Sequence, residues 1–142
     1  MEINEISGVV VDEAYTLHEQ LGPGLLESVY EVLLSHRLVK RGLDVQRQVS
    51  VPIRFDGLIF DEGFRADLIV AQRLVVELKS TEDNHPVHSK QLLTYLRLTR
   101  SPVGLLINFG RPLFKDGVKR IVHNLPAEAC LLKNSPRLSA SA

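Results

Sequence analysis

Ile6, Val9, Val10, Ala14, Leu17 and Leu21 recur at helical spacing, which predicts an amphipathic helix over residues 4–21. Gly22-Pro23-Gly24 breaks it. A second helix is expected from about Leu25 to Arg41, with Leu26, Val29, Tyr30, Leu33, Leu34 and Leu38 on its apolar side. Lys40 and Arg41 suit the negative end of its dipole, and Gly42 suits the position just past its end. The period then changes to two. Val45, Arg47, Val49, Val51, Ile53 and Phe55 share one face of a strand, with Arg47 as the polar exception. Pro52 inside it predicts an edge position. Asp56-Gly57 predicts a two-residue hairpin turn, and Asp61-Glu62-Gly63 a turn or bulge.

Two apolar runs follow, Leu68-Ile69-Val70 and Leu74-Val75-Val76, expected to pair as a hairpin around residues 71–73. Pro86 suits a first helical position, and a helix to about Thr99 would pack on Leu92, Leu93 and Leu96. His88, Gln91 and Tyr95 lie on an adjacent side of it. Val103 to Phe109 reads as a fully buried strand, with a short strand or hairpin around Phe114 to Val122 after it. The order is α-α-β-β-β-α-β. The helix over residues 86–99 is a crossover that sets the 103–109 strand parallel to the 74–79 strand. The fold class is therefore α/β: a mixed sheet flanked by helices, in one domain over residues 1–125. Residues 126–142, ending NSPRLSASA, read as a loose tail.

Composition narrows this picture. A chain of 142 residues has room for one core. No run approaches a membrane span, and the start MEINEISG lacks the features of a signal peptide, so a cytoplasmic protein is expected. The lone Cys130 excludes an internal disulfide and a cysteine-based zinc site. With 17 basic and 17 acidic residues, bulk charge does not favour nucleic acid. The distribution is uneven, however. Every charged residue up to Glu31 is acidic, whereas Arg97, Arg100, Arg111, Lys115, Lys119 and Arg120 gather late.

The charges within the central strands bear most directly on function. Asp67 begins one run, and Glu77 and Lys79 sit two apart on the next, facing one way. Hairpin pairing would bring Asp67 beside Glu77. Two carboxylates and an ammonium then converge, either as a salt-bridged cluster or as a site for a hard divalent cation near a phosphate. Glu27, in the first turn of the second helix, reads by itself as a surface acid favoured by the dipole.

The set of Asp67, nine residues, Glu77, one residue and Lys79 resembles the core motif of the PD-(D/E)xK nuclease superfamily. Gly24-Leu-Leu-Glu27-Ser-Val-Tyr30 is similar to the signature of its small GxxExxY group. Gln91-Leu-Leu-Thr-Tyr95 resembles the Q-x-x-x-Y helix motif of its exonuclease-like members, and Gly104 to Gly110 resembles the group's closing strand. The resemblance spans roughly Leu17 to Asn124, with Ala66 in place of the proline of the superfamily name.

The resemblance implies a restriction-endonuclease-like core and hydrolysis of phosphodiester bonds, in DNA before RNA. Mg2+ or Mn2+ would be held by Asp67, Glu77 and the Leu78 carbonyl, with Glu27 reaching in directly or through water. Lys79 would orient the attacking water or stabilise charge on the phosphate. Gln91 and Tyr95 would bind phosphate oxygens or fix the acids, and His88 would contact substrate or remain a solvated helix residue. Tyr30 reads as packing near the site. The alternative is a nucleic-acid- or protein-binding module that keeps the fold without turnover. No membrane partner is expected, and a homodimer could widen the nucleic-acid surface.

Overall fold

The computed structural model of the chain describes residues 1–123. The expected tail over residues 126–142 and Cys130 lie outside the described residues. Two helices come first, α1 (Ile3–Leu21) and α2 (Glu27–Lys40). Then follow β1 (Val45–Phe55), β2 (Leu58–Val70), β3 (Leu74–Lys79), α3 (Pro86–Thr99), β4 (Val103–Asn108), a single turn of helix α4 (Phe114–Gly117) and β5 (Val118–Val122). The strands form one mixed sheet in the order β1-β2-β3-β4-β5. All neighbours are antiparallel except β3 and β4, which α3 links as a parallel pair. The α/β class, the crossover and the edge position of the Pro52 strand are as the sequence predicts. Among the described residues no helix is long and apolar enough to cross a membrane.

Each face of the sheet carries its own core. On one side Ile6, Val10 and Leu17 of α1 and Leu34 and Leu38 of α2 bury Leu68, Val76, Leu105 and Ile107. On the other side Leu92 and Leu96 of α3 bury Ile69, Val75, Leu106 and Ile121. Each fully buried side chain of this kind stabilises by about 1.5–3 kcal/mol. A slip of one residue would exchange the two faces, so these contacts pin the register.

The period-two reading of β1 needs correction. Val45 packs with the α1–α2 core, whereas Val49, Val51 and Ile53 pack with the α3 core. The strand turns over at Gln48, whose φ of 50° lies in the left-handed region. β2 turns over at the same level, with Phe64 and Ala66 on the α3 side and Leu68 and Val70 on the other. A positive φ at a residue other than glycine leaves no mark on hydrophobic alternation. Farther along, Asp61-Glu62-Gly63 forms a bulge and not a turn, since the register shifts there between Val51 and Ile53 while β2 continues. Gly63 is needed at this bulge, because a Cβ would lie 2.3 Å from the Ile53 side chain.

Beyond the bulge, β1 and β2 leave the sheet as a two-stranded ribbon closed by Asp56-Gly57, both with positive φ as the sequence signal requires. Phe55 is exposed at its tip, together with Leu58, Ile59 and Phe60. Phe55 shares no buried face with Val49 and Val51, because β3 pairs only with residues 68–70 of β2 and nothing among the described residues covers the ribbon. The β2–β3 turn has φ of 52° at Ala71 and 58° at Gln72, with no glycine. This conformation costs about 1–2 kcal/mol at each such residue. It is held by the Ala71 N–H donating to Asp44 O at 2.7 Å and the Arg73 N–H to Val70 O at 3.1 Å.

Candidate active site

The backbone ladder between β2 and β3 runs from Val70–Leu74 to Leu68–Val76 and stops. One residue further on, side chains replace it. The Leu78 N–H donates to Asp67 Oδ2 at 2.8 Å, and the Asp67 N–H donates to Glu77 Oε1 at 3.4 Å. The carboxyl groups of Asp67 and Glu77 thus sit side by side in the cleft where the strands part. Leu78 buries its side chain in the α1–α2 core, so its backbone runs between Glu77 and Lys79 on the site side.

The electrostatics follow from this crowding. Burial, and then the charge of Asp67, push the Glu77 carboxyl up to about 8. The Asp67 N–H and Lys79 pull in the other direction without compensating. Glu27, exposed at the start of α2, is raised as well: burial leads, Lys79 opposes it, and Asp67 and Glu31 add to it. Lys79 is half-buried at the end of β3 and makes no ion pair among the described residues. The arrangement is therefore not a salt-bridged cluster. Acids crowd together with a cation near them but not locked to either.

The remaining expected residues divide. Tyr95 reaches the site: its ring stacks on Phe64 with centroids 3.9 Å apart. Its hydroxyl is made less acidic by burial and then by the charge of Glu77. His88 is half-buried, and its basicity is lowered by burial, then by Lys79, then by His85. Gln91 is exposed on α3 and its side chain makes no hydrogen bond among the described residues, so the structure does not join it to the acids. Tyr30 packs beneath the site, stacked on Phe109 at 4.3 Å. Its hydroxyl donates to Gly22 O at 2.6 Å and accepts from the Leu25 N–H at 3.3 Å, which fixes the loop that launches Glu27.

Three residues outside the expected set support Asp67. Gln48 faces Asp67 across β1 and β2, and its Nε2 donates to Asp67 Oδ1 at 3.2 Å and to Glu31 Oε1 at 2.7 Å. Glu31 is only 6% exposed, and Arg47 pairs with it at 3.0 Å. Arg47 and Glu31 thus anchor Gln48, which holds one oxygen of Asp67. Two signals were available: Glu31 lies one helical turn after Glu27, and Arg47 breaks the apolar alternation.

A family model described as the PD-(D/E)XK nuclease superfamily matches residues 4–121. The chain belongs to the PD-(D/E)XK nuclease superfamily. Searches of curated proteins and of solved structures gave no match. The mixed five-stranded sheet flanked by helices is consistent with the restriction-endonuclease-like fold of this superfamily. PD-(D/E)XK nucleases generally use divalent metals, and the donor set here fits one. Burial and the charge of Asp67 keep Glu77 from ionising, a cation between the two would favour both carboxylates, and an ion of the Mg2+ type takes one or two carboxylates while keeping several waters. Among the described residues no three His, Cys, Asp or Glu side chains group as a metal cage, so Glu27 does not complete one with Asp67 and Glu77.

Proposed function

We propose that this PD-(D/E)XK protein is a metal-dependent nuclease of the GxxExxY type that hydrolyses phosphodiester bonds of DNA in the cytoplasm. The observation that carries the reading is the adjoining pair of acids, Asp67 and Glu77, where two central strands part, with Lys79 beside them making no ion pair among the described residues. A buried group kept from its ordinary ionisation in a cleft is a functional-site signature.

Asp67, Glu77 and the Leu78 carbonyl would hold Mg2+ or Mn2+, and Glu27 would join through water. The ion, when bound, would supply a Lewis acid and lower the pKa of its water. The chain's own residues do the rest. Gln48 holds Asp67 in one orientation through its 3.2 Å hydrogen bond. Lys79 offers three donors to a phosphate oxygen or a water, without first breaking an ion pair. Tyr95, braced on Phe64, brings a donor to the Glu77 side. Gln91 offers a solvated amide on the same helix, one turn earlier, to a phosphate oxygen of an incoming strand.

The test is cleavage of linear, nicked, branched and single-stranded DNA with Mg2+ or Mn2+. Wild type should cut, and Glu77→Ala and Lys79→Ala should not. Equal cutting by all three sinks the reading. Salt-sensitive binding without turnover would instead identify a module that keeps the fold and lacks the activity.

A further inference from the structure

Next to the carboxylate pair, on the far side of Lys79, lies a cavity of about 250 Å³. Lys79 from β3, His85 and His88 from the start of α3, and Lys119 from β5 line it, over an apolar floor of Leu106 and Val118. His85 and His88 meet edge to face at 5.5 Å. Asp116 is the acid on its wall, against two lysines and two imidazoles.

The wall is built in advance. Asn108 is 3% exposed and spends its whole amide on the loop before α3 and the turn after β4. Its Oδ1 accepts from the Thr81 N–H at 3.0 Å and the Gly110 N–H at 2.9 Å. Its Nδ2 donates to Thr81 Oγ1 at 3.1 Å, Asp83 O at 3.3 Å and Asn84 Oδ1 at 3.0 Å. Asn84 in turn donates to Asp116 O at 2.6 Å, joining the loop to the β5 side of the cavity. A fully satisfied buried amide of this kind rigidifies its surroundings. The imidazoles and Lys119 are therefore presented on a fixed frame.

We propose that this cavity seats one unpaired nucleotide next to the scissile phosphate, making single strands and frayed ends the substrate class. The inference rests on the nuclease reading above and adds strandedness to it. Three features carry it. The volume suits one nucleotide and not a base pair. Lys79 borders both the carboxylate pair and the cavity, so a strand passing the acids has its next nucleotide here. The lining joins imidazole rings to ammonium groups, the combination that binds bases by stacking and backbone by charge. Seating a nucleotide from duplex would require unstacking it, at a few kcal/mol, whereas a single strand has no such cost.

The test measures binding by anisotropy in EDTA, which bars turnover, using a labelled single-stranded oligodeoxynucleotide and a blunt duplex of the same sequence. Wild type should prefer the single strand by about tenfold or more, the effect of one stacked base. His85→Ala with Lys119→Ala should remove most of that preference at unchanged thermal stability, and His85→Tyr alone should keep it. Equal affinity for duplex and single strand overturns the inference, as does a double variant that binds the single strand like wild type. The two readings fail separately. Glu77-dependent cleavage indifferent to His85 and Lys119 removes the cavity's role and leaves the nuclease. Cavity-dependent single-strand binding without any cleavage removes the nuclease and leaves the seat.

Discussion

The two ends of the β2–β3 hairpin are a few residues apart and follow opposite rules. At the turn end, three consecutive residue pairs from Val70–Leu74 to Leu68–Val76 join backbone to backbone, and their side chains are fully buried in the two cores. At the open end the ladder stops, and Asp67 and Glu77 take over its hydrogen bonds with their carboxylates. One end joins backbone to backbone in a regular ladder, at the expense of an unfavourable turn. The other holds two acids side by side, one of them kept from ionising, and leaves a lysine without an ion pair among the described residues. Packing and electrostatic strain have been divided along a single hairpin.

That division predicts substitutions whose effects do not mix. The largest should come at the open end: Glu77→Ala should lower the cleavage rate on the order of 10³-fold. Glu77→Gln should lose activity similarly and yet gain stability. The sign follows from the raised ionisation of Glu77. Its contribution to stability is fully present below the unfolded value, near 4.5, and is lost as pH rises through about 8. Metal-free Glu77→Gln should therefore melt higher than wild type at pH 8, with the gap closing as pH falls toward 4.5. A lower melting temperature at pH 8 would show that the acids are not in conflict.

At the turn end, Leu74→Ala should cost about 2–5 kcal/mol in denaturant unfolding, with cleavage per folded molecule unchanged at 25 °C. Loss of activity in the molecules that remain folded would break the division. Gln48→Ala tests its boundary. Removing the donor that holds Asp67 should lower activity or metal affinity about 10–100-fold, with a smaller loss of stability than Leu74→Ala. The smallest effect is expected at the ribbon tip, where Phe55→Ser should change stability by no more than about 0.5 kcal/mol. A larger loss would mean that the tip is covered in solution.

Most of the frame was legible from periodicity and punctuation. Pro86 marks the start of α3, Asp56-Gly57 marks a turn with two positive φ values, and the apolar run from Val103 marks a strand buried along its whole length. The sequence also indicated that Asp67 returns beside Glu77, because register follows from counting residues around a turn. It did not reveal how the two acids are held. The turnover of β1 at Gln48 depends on one backbone dihedral, to which hydrophobic patterning is blind. The Arg47–Glu31–Gln48 chain joins a helix to an edge strand across a tertiary contact. The exposure of Phe55 depends on where a neighbouring strand ends, which its own alternation does not record. The late basic residues read as one patch, but Arg111 is spent on Asp83 and the Glu82 carbonyl, and Arg120 bonds Asn4. Lys119 alone of that group lines the cavity beside the site.

The turn at residues 71–73 also bears on the order in which the molecule assembles. Asp67 and Glu77 are joined by a local hairpin, and such hairpins close in about 1–10 μs. The parallel β3–β4 pairing must wait for the longer crossover through α3, and long-range closures of that kind are slower. The carboxylates therefore meet before the sheet around them is complete, and their repulsion falls on the folding rate more than on the unfolding rate. Glu77→Gln should raise the folding limb, by relieving the early repulsion from Asp67, and lower the unfolding limb, by removing the burial penalty of the completed sheet, so that the chemistry of the finished site would be written into the kinetics of its first fold.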